Sequence, residues 1–210
     1  MRQQIMYEVE KLFTSRRFHE ITLDDVAHAA QVGKGTIYRY FQNKDDLFFQ
    51  TATSGFDELC ELLSRKVPEN ASFFEQILSA CNQISFFYDS RRQLFRMMQA
   101  EDSRMYWHKG TIRERWMAKR KKLIAALAEI INKGVAEGKI RTDVPPEALA
   151  SFLLALLRTR SRDLADMPEV TQRHELLVDL FIRGAGLYED EPGNNKKSKM
   201  NVIFYDQYRE

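Results

Sequence analysis

The scarcity of chain-breaking residues constrains this sequence more than any other feature. Nine glycines and five prolines in 210 residues are about half the usual combined share of roughly 12%, and these residues punctuate turns and interrupt helices. Long helices with few connections are therefore expected. The apolar spacing agrees with this. Ile5, Val9, Leu12 and Phe13 recur three and four apart, which predicts an amphipathic first helix over residues 3–16. The same rhythm predicts helices over 72–88 and 91–100, then a long one that carries Met105, Ile112, Trp116, Leu123, Leu127 and Ile130 on one face and ends at Gly134 or Gly138. Pro145-Pro146 opens a helix to about Leu164, and residues 171–188 form the last. No alternating strand pattern occurs before residue 200, so the fold class is all-α.

With 44% hydrophobic and 30% charged residues, the chain has the composition of a packed interior under a solvated surface. The longest stretch without a charge or strong polar break, Ala148 to Leu157, is ten residues, well short of the ~20 that cross a bilayer. Charges at Arg2, Glu8, Glu10 and Lys11 precede any apolar segment of signal-peptide type, so a cytoplasmic location without membrane association is expected. Cys60 and Cys81 lack metal-ligand spacing and read as buried free thiols, with no metal site. The four histidines, His19, His28, His108 and His174, are scattered. No glycine-rich phosphate loop, nucleophile elbow or His-Glu-x-x-His motif occurs, so neither an enzyme nor a cofactor is expected.

A net charge of +2 says little about partners, but its distribution is informative. Residues 1–50 hold seven basic and seven acidic side chains, yet Gln31 to Lys44 carries Lys34, Arg39 and Lys44 with no acid. Thr22 and Asp25 are spaced as a capping box, with Ile21 and Val26 placed as a hydrophobic staple. A short alanine-containing helix follows and ends near Gln31. Gly33 opens a second short helix through about Phe41, and Asn43 caps a fourth whose first turn holds Asp45 and Asp46. Two short helices joined by a tight turn have the form of a helix-turn-helix, whose second helix enters the DNA major groove. Gly35 lets backbone approach DNA, while Lys34 and Thr36 sit in the exposed first turn, within reach of base edges or phosphates. Tyr38 and Tyr40 offer hydroxyls, Arg39 a donor fork and Lys44 a point charge. Ile37 and Phe41 face inward. A helical adaptor that binds only protein is the competing reading, and the basic segment argues against it.

The stretch from Val32 to Phe48, VGKGTIYRYFQNKDDLF, resembles the signature of the TetR family of bacterial transcriptional regulators, in detail over about residues 5–50. The resemblance implies an N-terminal helix-turn-helix domain over residues 1–47, a helical effector-binding and dimerisation domain over 48–188, and a tail at 189–210 whose composition reads as flexible. It implies a homodimer that binds a palindromic DNA operator and is released by a small-molecule effector through a shift of the fourth helix. Thr22, Lys34, Tyr38, Tyr40 and Lys44 are carried over as DNA contacts, with Gly35 and Thr36 near base edges. Two departures stand out: Gln31 occupies a turn position where the family often has Gly, and Gly33 occupies a capping position where Ser is usual. Arg17 also replaces a common turn Gly and is expected to be solvated.

Beyond residue 50 the pattern alone must serve. An apolar effector is expected against Phe86, Phe87, Met97, Met98, Trp107 and Trp116, with His108 and Arg120 as polar anchors; the competing reading places both anchors in a salt-bridged helix seam. Phe152, Leu153 and Leu156 on one helix and Leu177, Phe181 and Gly184 on the other are expected to form a four-helix dimer seam, with Arg160 paired to a carboxylate across it.

Overall fold

The computed structural model describes residues 1–107 and 109–186. Among them the regular elements are helices: α1 (Arg2–Leu12), a 3₁₀ turn (Phe18–Glu20), α2 (Leu23–Ala29), α3 (Lys34–Tyr38), α4 (Lys44–Lys66), α5 (Phe73–Ser90), α6 (Arg92–Trp107), α7 (Thr111–Ala136), α8 (Pro146–Asp163), α9 (Glu169–Gln172) and α10 (His174–Ala185). A lone antiparallel bridge joins Ile140 to Gly186. No described helix is long and apolar enough to cross a membrane.

Local chemistry sets the helix starts. Ser72 caps α5, with its hydroxyl accepting from the Glu75 amide while Glu75 accepts from the Ser72 amide at 2.8 Å. Such a reciprocal pair satisfies two otherwise orphaned donors. Pro146 opens α8, where its missing N–H costs nothing.

Besides α3, which stops at Tyr38 rather than near Phe41, three elements differ from the expectation. First, α1 stops at Leu12 rather than residue 16. The chain turns there so that Phe13 and Phe18 both meet Phe48 edge-on, at centroid distances of 6.0 and 4.6 Å. Second, the helix expected to run on from Met105 is two elements. Gly110, at φ +85°, adopts a backbone that a side chain would strain, so Met105 belongs to α6 and Trp116 to α7. Third, the last helix is broken at Arg173, whose backbone is extended. There the Gln172 carbonyl accepts from Arg160 Nε at 2.6 Å.

The long α4 is the spine, packed against α1, α5, α6 and α7. It runs unbroken through the expected domain boundary at residue 47. Two arginines of the C-terminal helical body reach back to the N-terminal segment. Arg91 holds Glu10 of α1 at 2.9 Å and Glu58 of α4 at 2.6 Å. Arg104 holds Asp45, in the first turn of α4, at 2.5 Å. Both cysteines are free; Cys81 is buried, which pushes its thiol pKa up to about 12, and Cys60 is half-buried.

Candidate DNA-contacting surface and effector cavity

The N-terminal face is assembled by caps. Thr22 Oγ1 accepts from the Asp25 amide at 3.1 Å, and Asp25 accepts from the Thr22 amide at 2.7 Å. Ile21 and Val26 are both fully buried beside this box, as a hydrophobic staple requires. Arg16 donates to the same Asp25 carboxylate at 3.1 Å. These hydrogen bonds from Thr22 and Arg16 hold the Asp25 carboxyl well below its ordinary pKa. The turn into α3 passes through Gln31, which among the described residues is the non-glycine residue with positive φ, at +54°. Gly33 is the N-cap of α3 and supplies no side-chain hydrogen bond.

Ile37 of α3 is fully buried and Phe41, just past its end, nearly so, which fixes the helix to its neighbours. The opposite side presents Lys34, Gly35, Tyr38, Arg39 and Tyr40 to solvent, with Thr36 half-exposed. A Cβ at Gly33 or Gly35 would meet nothing within 4 Å, so this backbone is open to an approaching surface. Lys34 pairs with Asp24 at 2.9 Å, a partner the sequence reading did not foresee. That hydrogen bond raises the lysine's pKa. Lys44 lies 4.4 Å over the Phe18 ring, held at the first turn of α4. Asn43 Oδ1 accepts from the Asp46 amide at 2.8 Å, as its capping role predicts. Arg17 is exposed.

A second feature lies between α6, α7 and α8, with Phe56 of α4 on its wall. This cavity has a volume of about 70 Å³. Of the residues expected around an effector, Met98, Trp116 and Arg120 line it. Phe87 and Met97 are buried but are not part of its wall. Phe86 is 64% exposed and Trp107 83% exposed, so neither is an inner wall. His108 lies outside the described residues. The lining also includes Tyr88, Gln99, Asp102 and Arg158, which the sequence reading missed. Burial pushes the Tyr88 hydroxyl pKa up, partly offset by Arg158 and Arg120. Trp116 Nε1 donates to Asp102 Oδ1 at 3.0 Å, and Arg120 Nη1 stands 3.5 Å from the same oxygen. A signal for Arg158 was available: it is four residues past the lining Leu154 and shares its face of α8.

Along α8 and α10, the seam expectation needs revision. Leu153, Leu177 and Phe181 are buried within the chain's own core. The same helices leave Phe152 62%, Leu180 58%, Leu176 39% and Leu156 37% exposed, and Gly184 is exposed beside them. Arg160 does not wait for a partner copy, because it pairs with Asp89 of its own chain at 3.1 Å.

Comparison with known proteins agrees with this architecture. Residues 9–51 match the model for bacterial regulatory proteins of the tetR family. The chain is 27% identical over 154 residues to the uncharacterised HTH-type transcriptional regulator YhgD of Bacillus subtilis, spanning 72% of this chain and 78% of that one. It is 24% identical over 156 residues to the HTH-type transcriptional repressor AcnR of Corynebacterium glutamicum, spanning 74% and 77%. Among solved structures, the regulator FadR of Bacillus subtilis, crystallised with stearoyl-CoA, superposes with a TM-score of 0.74 at 17% identity, over 87% of this chain and 98% of that one. Residues 9–51 thus carry the helix-turn-helix of the tetR family of bacterial regulatory proteins, and the helical body that follows it has the fold of such a regulator.

Proposed function

We propose that the protein is a cytoplasmic, effector-released repressor that binds a palindromic operator as a homodimer and has no catalytic role. Residues 1–47 supply the DNA contacts, and 48–188 the effector cavity and the dimer seam. The observation that carries the reading is continuity: α4 begins at the Asn43 cap beside the exposed face of α3 and places Phe56 in the cavity wall. A change at the cavity therefore moves the recognition helix through one rigid element. In a dimer such a tilt changes the separation of two recognition helices, which must match half-sites about one DNA turn apart.

On α3, Gly35 and Thr36 lie against base edges, while Lys34, Tyr38, Arg39 and Tyr40 meet the backbone or adjacent bases. Thr22 and Lys44 bind phosphates at the flanks, although the Thr22 hydroxyl already serves its cap. The relatives support the repressor assignment: AcnR is named a repressor, as is Rv1474c of Mycobacterium tuberculosis. FadR's stearoyl-CoA complex supports an effector with an apolar body. At about 70 Å³, the cavity is smaller than the ~150 Å³ that accommodates benzene. Entry of such a ligand therefore displaces side chains, and the flexible Met98 is the readiest to move.

Selection of genomic fragments bound by the full chain, followed by gel shifts over a salt series, tests the DNA half. Lys44→Ala should weaken operator and non-specific fragments by a similar factor and flatten the salt slope by about one unit. Thr36→Ala should change preference among operators. Enrichment of no fragment overturns the regulator mechanism, and altered sequence choice by Lys44→Ala overturns the division of roles. For the effector half, Trp116→Phe and Arg120→Gln should both reduce ligand-induced release. If neither does, the cavity lies elsewhere.

A further inference from the structure

We infer that the cavity between α6, α7 and α8 takes an amphiphile with a carboxylate headgroup, for which Asp102 is a loosely held competitor at two arginines. This deepens the effector reading above and rests on it. Asp102 is the acid of the described lining, and it faces cations from two other helices. Arg120 of α7 stands 3.5 Å from Oδ1, and Arg158 of α8 stands 4.0 Å from Oδ2. Neither distance approaches the 2.7–2.9 Å of a well-made charge-assisted hydrogen bond. The shortest contact to Asp102 is instead the Trp116 indole at 3.0 Å. One carboxylate thus faces two guanidinium groups with about five N–H donors each, and it meets neither in the bidentate geometry that guanidinium favours.

A second observation points the same way. Gln99 Nε2, on the same wall, is buried and has no hydrogen-bond partner among the described residues. A buried donor without an acceptor destabilises the site, and a ligand oxygen would satisfy it. The neighbouring acid, Glu101, is engaged by Arg104 at 3.0 Å. The remainder of the wall, including Phe56, Phe95, Leu123 and Leu154, suits an alkyl or aryl body. Cationic and neutral headgroups fit this lining worse. A cationic amphiphile meets two like charges, and a neutral one leaves the guanidinium donors without an anion. A carboxylate ligand pairs with Arg158 and Arg120 while Asp102 keeps its bond to Trp116.

The test uses the full chain carrying Trp107→Phe. Trp107 is 83% exposed, and its replacement leaves Trp116 as the remaining tryptophan and therefore the reporter. Hexanoate, decanoate and palmitate are titrated at neutral pH against hexanol, decanol, hexadecanol and decylamine, reading Trp116 emission and thermal midpoint. At least one acid should bind tenfold or more tightly than its alcohol, equivalent to ~1.4 kcal/mol, and the amine should not bind. Arg158→Gln should abolish the preference for acid over alcohol while alcohol binding persists. Asp102→Asn, which removes the competing carboxylate and retains an acceptor for the indole, should tighten acid binding severalfold. Equal or tighter binding of the alcohols, or of the amine, overturns the carboxylate class and leaves the effector cavity standing. Binding by no member of any series overturns both. The titration contains no DNA, so failure of operator binding leaves its result unaffected.

Discussion

At Gln31 the backbone enters the left-handed region, φ +54°, where an L side chain crowds its own carbonyl at a cost of about 1–2 kcal/mol. The turn into the recognition helix is therefore made by a residue poorly suited to it. Gln31→Gly should raise unfolding free energy by roughly 0.5–1 kcal/mol after the extra chain entropy of glycine is subtracted. A urea midpoint below that of the wild type would show that the turn is unstrained. Nearby, Asp25 accepts from the Thr22 amide and hydroxyl and from Arg16, and its pKa is depressed by those bonds. A depressed carboxylate pKa stabilises the fold above the unfolded-state value, near ~3.9, and this contribution is lost as pH falls through the folded-state value. Asp25→Asn should thus lower the thermal midpoint at neutral pH, with the gap to the wild type closing in strong acid. A gap that stays constant down the acid limb would mean the carboxylate's charge is irrelevant to the cap.

Among the elements, α4 and α6 touch at a notch. A Cβ at Gly55 would fall within contact distance of Met98 Sδ, so Met98 fills the space that a side chain there would occupy. Met98 also lines the cavity. A ligand that presses on Met98 has no slack to take up before it presses on α4. Met98→Ala should therefore bind effector at least as well as the wild type but release the operator at least tenfold less effectively, a coupling loss of ~1.4 kcal/mol. Gel shifts at saturating decanoate measure it, and unchanged release would place the coupling in other residues. None of this was legible in the sequence, because the contact joins residues more than forty apart and depends on how two helices cross. The DNA-facing end was far more legible. Its caps, staple and buried pair Ile37 and Phe41 are all local, and local chemistry is what spacing records. The cavity residues were legible only in part, since periodicity marks an apolar face without saying which helix covers it. Phe86 and Phe87 are adjacent in sequence, yet one is exposed and the other buried. Met105 falls on α6 rather than on the helix of Trp116 because Gly110 breaks the helix between them, and apolar spacing does not record such a break.

At the scale of the whole molecule, Arg91 and Arg104 tie the N-terminal helices to the body at two separated points, and the proposed release mechanism requires these ties to carry a tilt of α4. That transmission has a target only if two recognition helices are held at fixed separation, and the exposed apolar faces of α8 and α10 are the surface suited to hold them. Phe152, Leu156, Leu176 and Leu180 form an unburied row on helices whose other faces already pack into the core. Two copies meeting across that row would make a four-helix seam, with the two-fold symmetry that a palindromic operator matches. Phe181 is a poor probe, because at 5% exposure its replacement by a charge would disrupt the monomer itself. Phe152→Arg, at 62% exposure, leaves the chain's own core intact and places like charges opposite each other across the seam. Sedimentation should show the wild type at about twice the chain mass and the variant at the mass of one chain, with helical content unchanged. Loss of the second half-site removes avidity worth about 10²–10⁴, so operator affinity should fall at least about a hundredfold while binding to an isolated half-site is unaffected. Leu180→Arg should behave alike, since it lies on the partner helix of the same row. A dimer that survives both substitutions would assign the seam to another face of the molecule.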